Sequence, residues 1–191
     1  MFKKETWNVE HIDSATTNDL KSIKDKKSWL CAALASGKVE NDEQIKVKGY
    51  LKKECKDIPD FQDFYDKIMS RFPSDNLLCE NVQVGDVEDN ERMHIWNLAL
   101  LDEGTNKGYR NSIFSVKRSF VINKEQGLHC HLTDEGKVEV DGKAIAFVPV
   151  CTKQVFLKYY TEDANALLAW TRFDSERYLA DIKNKLQNFL Q

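Results

Sequence analysis

The segment Ile95 to Arg118, IWNLALLDEGTNKGYRNSIFSVKR, constrains the fold of this chain more than any other. It opens on a short apolar run, crosses a stretch rich in Asp, Gly, Thr and Asn, and resumes with aromatic and basic residues at helical spacing. That pattern predicts strand, loop and helix in that order. Two asparagines, Asn97 and Asn106, stand nine positions apart across the predicted loop. Far upstream, a second strand-like run from Thr6 ends on Glu10-His11-Ile12, with Trp7 and Val9 on one face and Asn8 and Glu10 on the other. One strand that delivers an imidazole and a strand-loop-helix that delivers two amides point together to a single metal-dependent site.

The rest of the chain reads as an α+β arrangement around these two segments. From Asn18 to about Ser36, Leu20, Ile23, Trp29, Leu30, Ala33 and Leu34 recur at helical spacing, with Asn18 or Thr17 as the expected N-cap and Gly37 as the stop. Val39 to Cys55 and Phe61 to Phe72 read as two further helices, the second opened by Pro59 and closed by Pro73. Asn76 to Asn90 carries turn formers and no period, so a loop is expected there before a strand from Ile95. A helix near Tyr109 to Val121 follows. Gly127 to Leu132 and Lys137 to Val140 flank an Asp-Glu-Gly turn and predict a hairpin. After a short apolar run at Ala144 to Val150, helical segments are expected at Thr152 to Tyr160, at Ala164 to Thr171, and from a capping Asp174 onward, with Tyr178, Ile182 and Leu186 inward.

Length and charge narrow the function classes. At 191 residues the chain can bury a core without disulfide or metal staples. Its formal charge of −3 excludes a uniformly basic protein, so contact with a polyanion must come from local clusters of Lys and Arg. No apolar run is long enough for a bilayer, and MFKKETW lacks the apolar core of a signal peptide, so a cytoplasmic protein with no membrane partner is expected. Five cysteines without a CxxC pair read as reduced thiols. His129-Cys130-His131 does not predict zinc, because neighbouring strand residues point to opposite faces and cannot all reach one tetrahedral ion.

Hydrolysis of a phosphodiester needs an in-line water, a base for its proton, and a divalent cation to neutralise the scissile phosphate and leaving oxygen. His11 is the candidate base, since an unperturbed imidazole titrates near neutrality. Glu10 and Asn106 offer hard oxygen donors of the kind Mg²⁺ or Mn²⁺ accepts while keeping several waters. Glu10 and His11 are strand neighbours, so convergence requires a twisted or bulged strand end.

The order EHI, IWNLALL, a second Asn nine residues after the first, and F-x-x-K-R resembles the HNH nucleases over nearly the whole chain. A closer resemblance is to the C-terminal nuclease domain of GmrSD-type restriction proteins. It is carried by WNVEHI (Trp7 to Ile12), the NxxYxNxxFxxKR ending of Asn97 to Arg118, VPVCTKQVFLKYY (Val148 to Tyr160) and WTRFDSERY (Trp170 to Tyr178). The resemblance implies a ββα-metal, or His-Me finger, core with a helical insertion between its two strands and a C-terminal hairpin plus helices. It implies a single nuclease domain over 1–191: first strand in 1–16, insertion in 17–75, second strand, metal loop and helix in 92–122, and an extension in 123–191. It further implies a fragment of a larger protein, with an N-terminal NTPase-like domain of ParB/sulfiredoxin type missing and found in the same or a partner chain.

Carried over by position, His11 is the base, Asn97 the brace of the loop, Asn106 a metal ligand and Glu10 the second ligand. DNA is the implied partner, and Lys107, Arg110, Lys117, Arg118, Lys153 and Lys158 are the candidate phosphate contacts. The expected activity is a metal-dependent DNA endonuclease or nickase in restriction of modified or phage DNA. The alternatives are a non-catalytic nucleic-acid-binding or interaction module on the same fold, and a ribonuclease of the same type. The chain departs from the pattern at four places: Glu10 replaces the usual Asp, Asp13-Ser14 the following proline, Trp96 a glycine before the central Asn, and Asn106 a histidine. Phe114 reads as core, His94 as structural, and the lysines between Lys21 and Lys53 as a solvated helical face.

Overall fold

The computed structural model describes residues 6–13, 20, 22–71, 94–109, 112–145, 147–161 and 167–189. Strand β1 (Trp7–His11) pairs antiparallel with β2 (Leu98–Asp102), in a register that sets Trp7 opposite Asp102 and His11 opposite Leu98. Helix α4 (Glu103–Tyr109) follows β2 directly, and α5 (Phe114–Glu125) follows α4. Before β2 in the chain come α1 (Ile23–Ala35), α2 (Asn41–Leu51) and α3 (Phe61–Met69). After α5 come the hairpin β3 (Leu128–Leu132) and β4 (Val138–Lys143), then α6 (Val150–Phe156) and α7 (Arg172–Leu186). The protein is therefore α+β, with two small antiparallel sheets.

Helix α5 is the hub. It packs against α4, α6, β3 and β4, and buries Phe114, Val116, Phe120 and Val121. Phe114 lies in the core as its spacing predicts, stacked on Phe156 of α6 at 5.5 Å between ring centroids. Where α4 crosses α5 the backbones come close: a Cβ at Gly108 would lie 2.9 Å from the Phe120 ring, so a larger residue there would push the helices apart. The two strands of the first sheet have their outer edge closed by side chains. Thr152 Oγ1 donates to the Leu100 carbonyl (2.6 Å) and the Tyr178 hydroxyl to the Leu98 carbonyl (3.3 Å), which binds α6 and α7 to β2.

The helical insertion has its own aromatic seam, with Trp29 edge-on to Phe61 at 5.7 Å, and it shares one core with the rest. It joins the hairpin at Gly136. That residue has φ 75°, and a Cβ on it would meet Leu34 Cβ at 2.5 Å, so the turn needs glycine both for its backbone and for the close approach of α1.

Several expected boundaries move. Helix α1 starts at Ile23, capped by Ser22, whose Oγ accepts from the Asp25 amide (3.1 Å); Thr17 and Asn18 lie outside the described residues. Ile95–Asn97 is a single 3₁₀ turn, so the strand begins at Leu98 and not at Ile95. The expected metal loop is helical: Asp102 Oδ1 accepts from the Thr105 amide (3.0 Å) and starts α4. Tyr109 thus ends α4 and does not belong to α5. Thr171, not Asp174, caps α7, while Asp174 closes the capping box from the third helical position. Within 167–171 the chain makes a turn and bend in place of the expected helix, and Leu186 is exposed. The predicted loop at Asn76 to Asn90 lies outside the described residues. No helix among the described residues is long and apolar enough to cross a membrane.

Candidate active site

The turn after β1 is fixed to the start of β2 by one side chain. Asn97 is fully buried; its Oδ1 accepts from the Asp13 amide (2.9 Å) and its Nδ2 donates to the Asp13 carbonyl (3.1 Å). The Ile12 amide donates to the Asn97 carbonyl (2.7 Å), continuing the same clasp on the backbone. Asn97 and the residues that follow His11 therefore move as one unit, although 84 positions separate Asn97 from Asp13.

Alternation along β1 puts Glu10 opposite Ala99 on the inward face and His11 opposite Leu98 on the other, and the ladder runs regularly through both, without the bulge that convergence of their side chains was expected to need. The link between the two comes from α5. Lys117 is fully buried, and its ammonium donates to the His11 carbonyl (2.5 Å) and to Glu10 Oε1 (3.3 Å). It also lies 5.3 Å from the centre of the Tyr109 ring. Burial pushes the Lys117 ammonium below its ordinary value, and the Glu10 charge offsets part of that effect. Tyr109 Oη is buried with no hydrogen-bond partner among the described residues, and burial and the Glu10 charge raise its pKa well above the usual value.

Asn106 sits half-buried on α4, one turn before Tyr109, and α4 packs against both β1 and β2. At the other end of β2, Asp102 receives Lys124 of α5 at 2.6 Å. Burial opposes its ionisation, but the Lys124 and Thr105 bonds outweigh burial and hold the carboxyl below its usual range.

The six candidate phosphate contacts separate by burial. Lys117 cannot reach a phosphate, because its whole side chain is enclosed and committed to Glu10 and His11. Lys158 is excluded for the same reason: neither it nor its partner Asp174 exposes any side chain, and its ammonium also donates to the Ala169 carbonyl (2.5 Å). Helical spacing in F-x-x-K-R and V-F-L-K does not reveal this, since a buried lysine with a partner and a surface lysine have the same letter. Lys153 is half-exposed and engaged by Glu125. Lys107 is exposed, paired with Glu103 one turn back. Arg118 is half-buried with its Nε unpartnered, and its charge helps depress the Lys158 ammonium after burial has done so. Arg110 lies outside the described residues.

His129 and His131 share one face of β3, each paired through Nδ1 with Asp141 of β4, while Cys130 is buried on the other face. Among the described residues no group of three His, Cys, Asp or Glu side chains is arranged to hold a metal ion. Cys31, Cys55, Cys130 and Cys151 are free; burial pushes the Cys31 and Cys130 thiols up to about 11, which leaves them as thiols at neutral pH. His94 stacks on the buried Trp96 at 5.5 Å. No protein-family model matches the chain, and no curated protein or solved structure matches it.

Proposed function

We propose that this chain is a metal-dependent phosphodiesterase of the HNH type, with a ββα-metal core formed by β1, β2 and α4, acting on DNA as an endonuclease or nickase in restriction of modified or phage DNA. The observation that carries the reading is the Asn97 clasp. A buried amide spends both its donor and its acceptor on the backbone just after His11, which holds the imidazole's attachment point as a preorganised base requires. His11 takes the proton of the attacking water, and Lys117 anchors the carbonyl of that same residue from behind.

The donor set suits a hard divalent cation. Glu10 keeps one carboxylate oxygen without a partner among the described residues, its side chain 19% exposed, and Asn106 offers an amide oxygen from the neighbouring element. Bound there, Mg²⁺ or Mn²⁺ supplies charge neutralisation at the phosphate and the leaving oxygen. A second reading, a nucleic-acid-binding module without catalysis, draws on one feature: the Lys117 ammonium already neutralises Glu10.

The test is a nicking time course on supercoiled plasmid with Mg²⁺ or Mn²⁺, with a labelled RNA in parallel and thermal melts for each variant. Relaxed plasmid is expected only with metal. His11→Ala should abolish cleavage with an unchanged melt, Asn106→Ala should lose activity that higher metal concentrations partly restore, and Asn97→Ala should lose both activity and stability. Cleavage by His11→Ala at the wild-type rate would overturn the site. A wild-type chain that binds plasmid without cutting it under any metal would favour the binding module.

A further inference from the structure

A cleft of about 700 Å³ opens between the helical insertion, α4 and the β3–β4 turn. Five lysines line it, Lys24, Lys27, Lys53, Lys56 and Lys107, against a single acid, Asp134. That ratio runs against the chain as a whole, where 31 acidic residues exceed 28 basic ones. Concave walls of one sign concentrate the field and attract the opposite charge. The lysines are also unevenly engaged. Lys27 donates to the Lys52 carbonyl (2.6 Å) and Lys107 pairs with Glu103, whereas Lys24, Lys53 and Lys56 have no ion-pair partner among the described residues.

The inner wall is of a different kind. Ile23, Leu51 and Leu132 supply apolar surface, and Tyr109 lies against it with its hydroxyl buried and without a partner among the described residues. Tyr109 belongs equally to the candidate active site, through Lys117 at 5.3 Å from its ring and through the Glu10 charge that acts on its phenol. Basic rim and apolar wall form one concavity, and Tyr109 in its lining ties it to Lys117 and Glu10.

We infer that this cleft seats an unpaired stretch of the substrate nucleic-acid strand, with phosphates on Lys24, Lys53 and Lys56 and a base against the apolar wall beside Tyr109. The volume falls within the roughly 300–1,000 Å³ of sites that engulf a single small ligand, which suits one or two nucleotides and not the side of a duplex. A basic groove backed by apolar or aromatic surface is the general solution for single strands. The inference rests on the nuclease reading for its choice of strand, but its binding test does not depend on cleavage.

The experiment measures fluorescence anisotropy of a labelled single-stranded oligodeoxynucleotide, with the full chain carrying His11→Ala so that the probe stays intact, across a salt series. Replacing Lys24, Lys53 and Lys56 together by Gln should weaken binding and flatten the log K against log salt slope by about two units, from ~0.7 per phosphate contact on a single strand. An unchanged slope in the triple variant, or no binding by the parent chain, overturns the inference, as does a duplex of the same sequence bound as tightly as the single strand. Free mononucleotide or inorganic phosphate competing at the concentration of the strand also overturns it. Cleft-dependent binding in a chain that never nicks plasmid would retain the cleft and reject the nuclease; nicking with an unchanged slope would do the reverse.

Discussion

Two buried lysines, Lys117 on α5 and Lys158 just after α6, use the same parts to different ends. Lys158 places its ammonium over two aromatic rings and Lys117 over one, each donates to one carboxylate and one backbone carbonyl, and burial lowers the pKa of both. The carboxylates differ. Asp174 is wholly enclosed and also accepts from Thr161 Oγ1, from the Thr171 hydroxyl (2.8 Å) and from the Thr171 amide (2.9 Å). Glu10 has Lys117 alone, is partly open to solvent, and keeps an oxygen free among the described residues. A saturated carboxylate holds chain segments together; an unsaturated one at the end of a strand has capacity left for a ligand. Lys158 even adopts a left-handed backbone, φ 61°, which a non-glycine residue holds only when its surroundings over-determine it.

The largest effect expected from this contrast is at Asp174. Asp174→Ala leaves the Lys158 charge buried without its carboxylate and removes the α7 capping box, so unfolding stability should fall by about 3–5 kcal/mol in urea titration. Lys117→Met comes second, at roughly 1.5–3 kcal/mol, because Glu10 can recover water while the His11 carbonyl loses its donor. Its nicking activity should fall much further than its stability. Equal stability losses at the two sites would show that Glu10 is as structural as Asp174, and the contrast would fail.

Much of this was legible in the residues, and the failures have physical causes. The alternation in Trp7–His11, the hairpin around Asp134–Gly136 and the amphipathic spacing of Phe61, Phe64 and Ile68 place their elements to within a few residues, since each pattern reflects a face turned to the core. The stretch after Asp102 reads as a loop in sequence and is helical in the fold. Its Gly, Thr and Asn are poor helix formers, but the Asp102 cap and the packing of Thr105 and Tyr109 override local propensity. Lys117 and Lys158 looked like surface charges because only a tertiary partner distinguishes a buried ammonium from a solvated one. Lys24 and Lys53 read as part of a solvated face because the cleft they line is assembled from segments distant in sequence. The spacing from Asn106 marks Asn97 in the sequence, whereas its two bonds to Asp13 depend on a register that no spacing reveals.

The smallest expected effect sharpens the contrast at a third carboxylate, Glu43 on α2. Arg71 bonds both of its oxygens (2.6 and 2.7 Å), Lys67 lies 2.7 Å away, and the Glu40 amide donates at 2.9 Å, so it is saturated in the manner of Asp174 yet lies near the surface. The Arg71 bonds, against the opposing cost of burial and with help from Lys67, lower its pKa to about 2. Because the folded-state value lies below the unfolded one near ~4.3, the contribution is complete above the unfolded value and disappears as pH falls through it toward 2. With screening on the exposed Lys67 side, about 1 kcal/mol should be lost across that window. Urea midpoints measured from pH 6 downward should fall less steeply in Glu43→Gln than in the parent chain, because the variant has no proton to take up there. If the two profiles stay parallel, the Arg71 and Lys67 bonds contribute nothing measurable, and saturation by itself would no longer separate a structural carboxylate from Glu10.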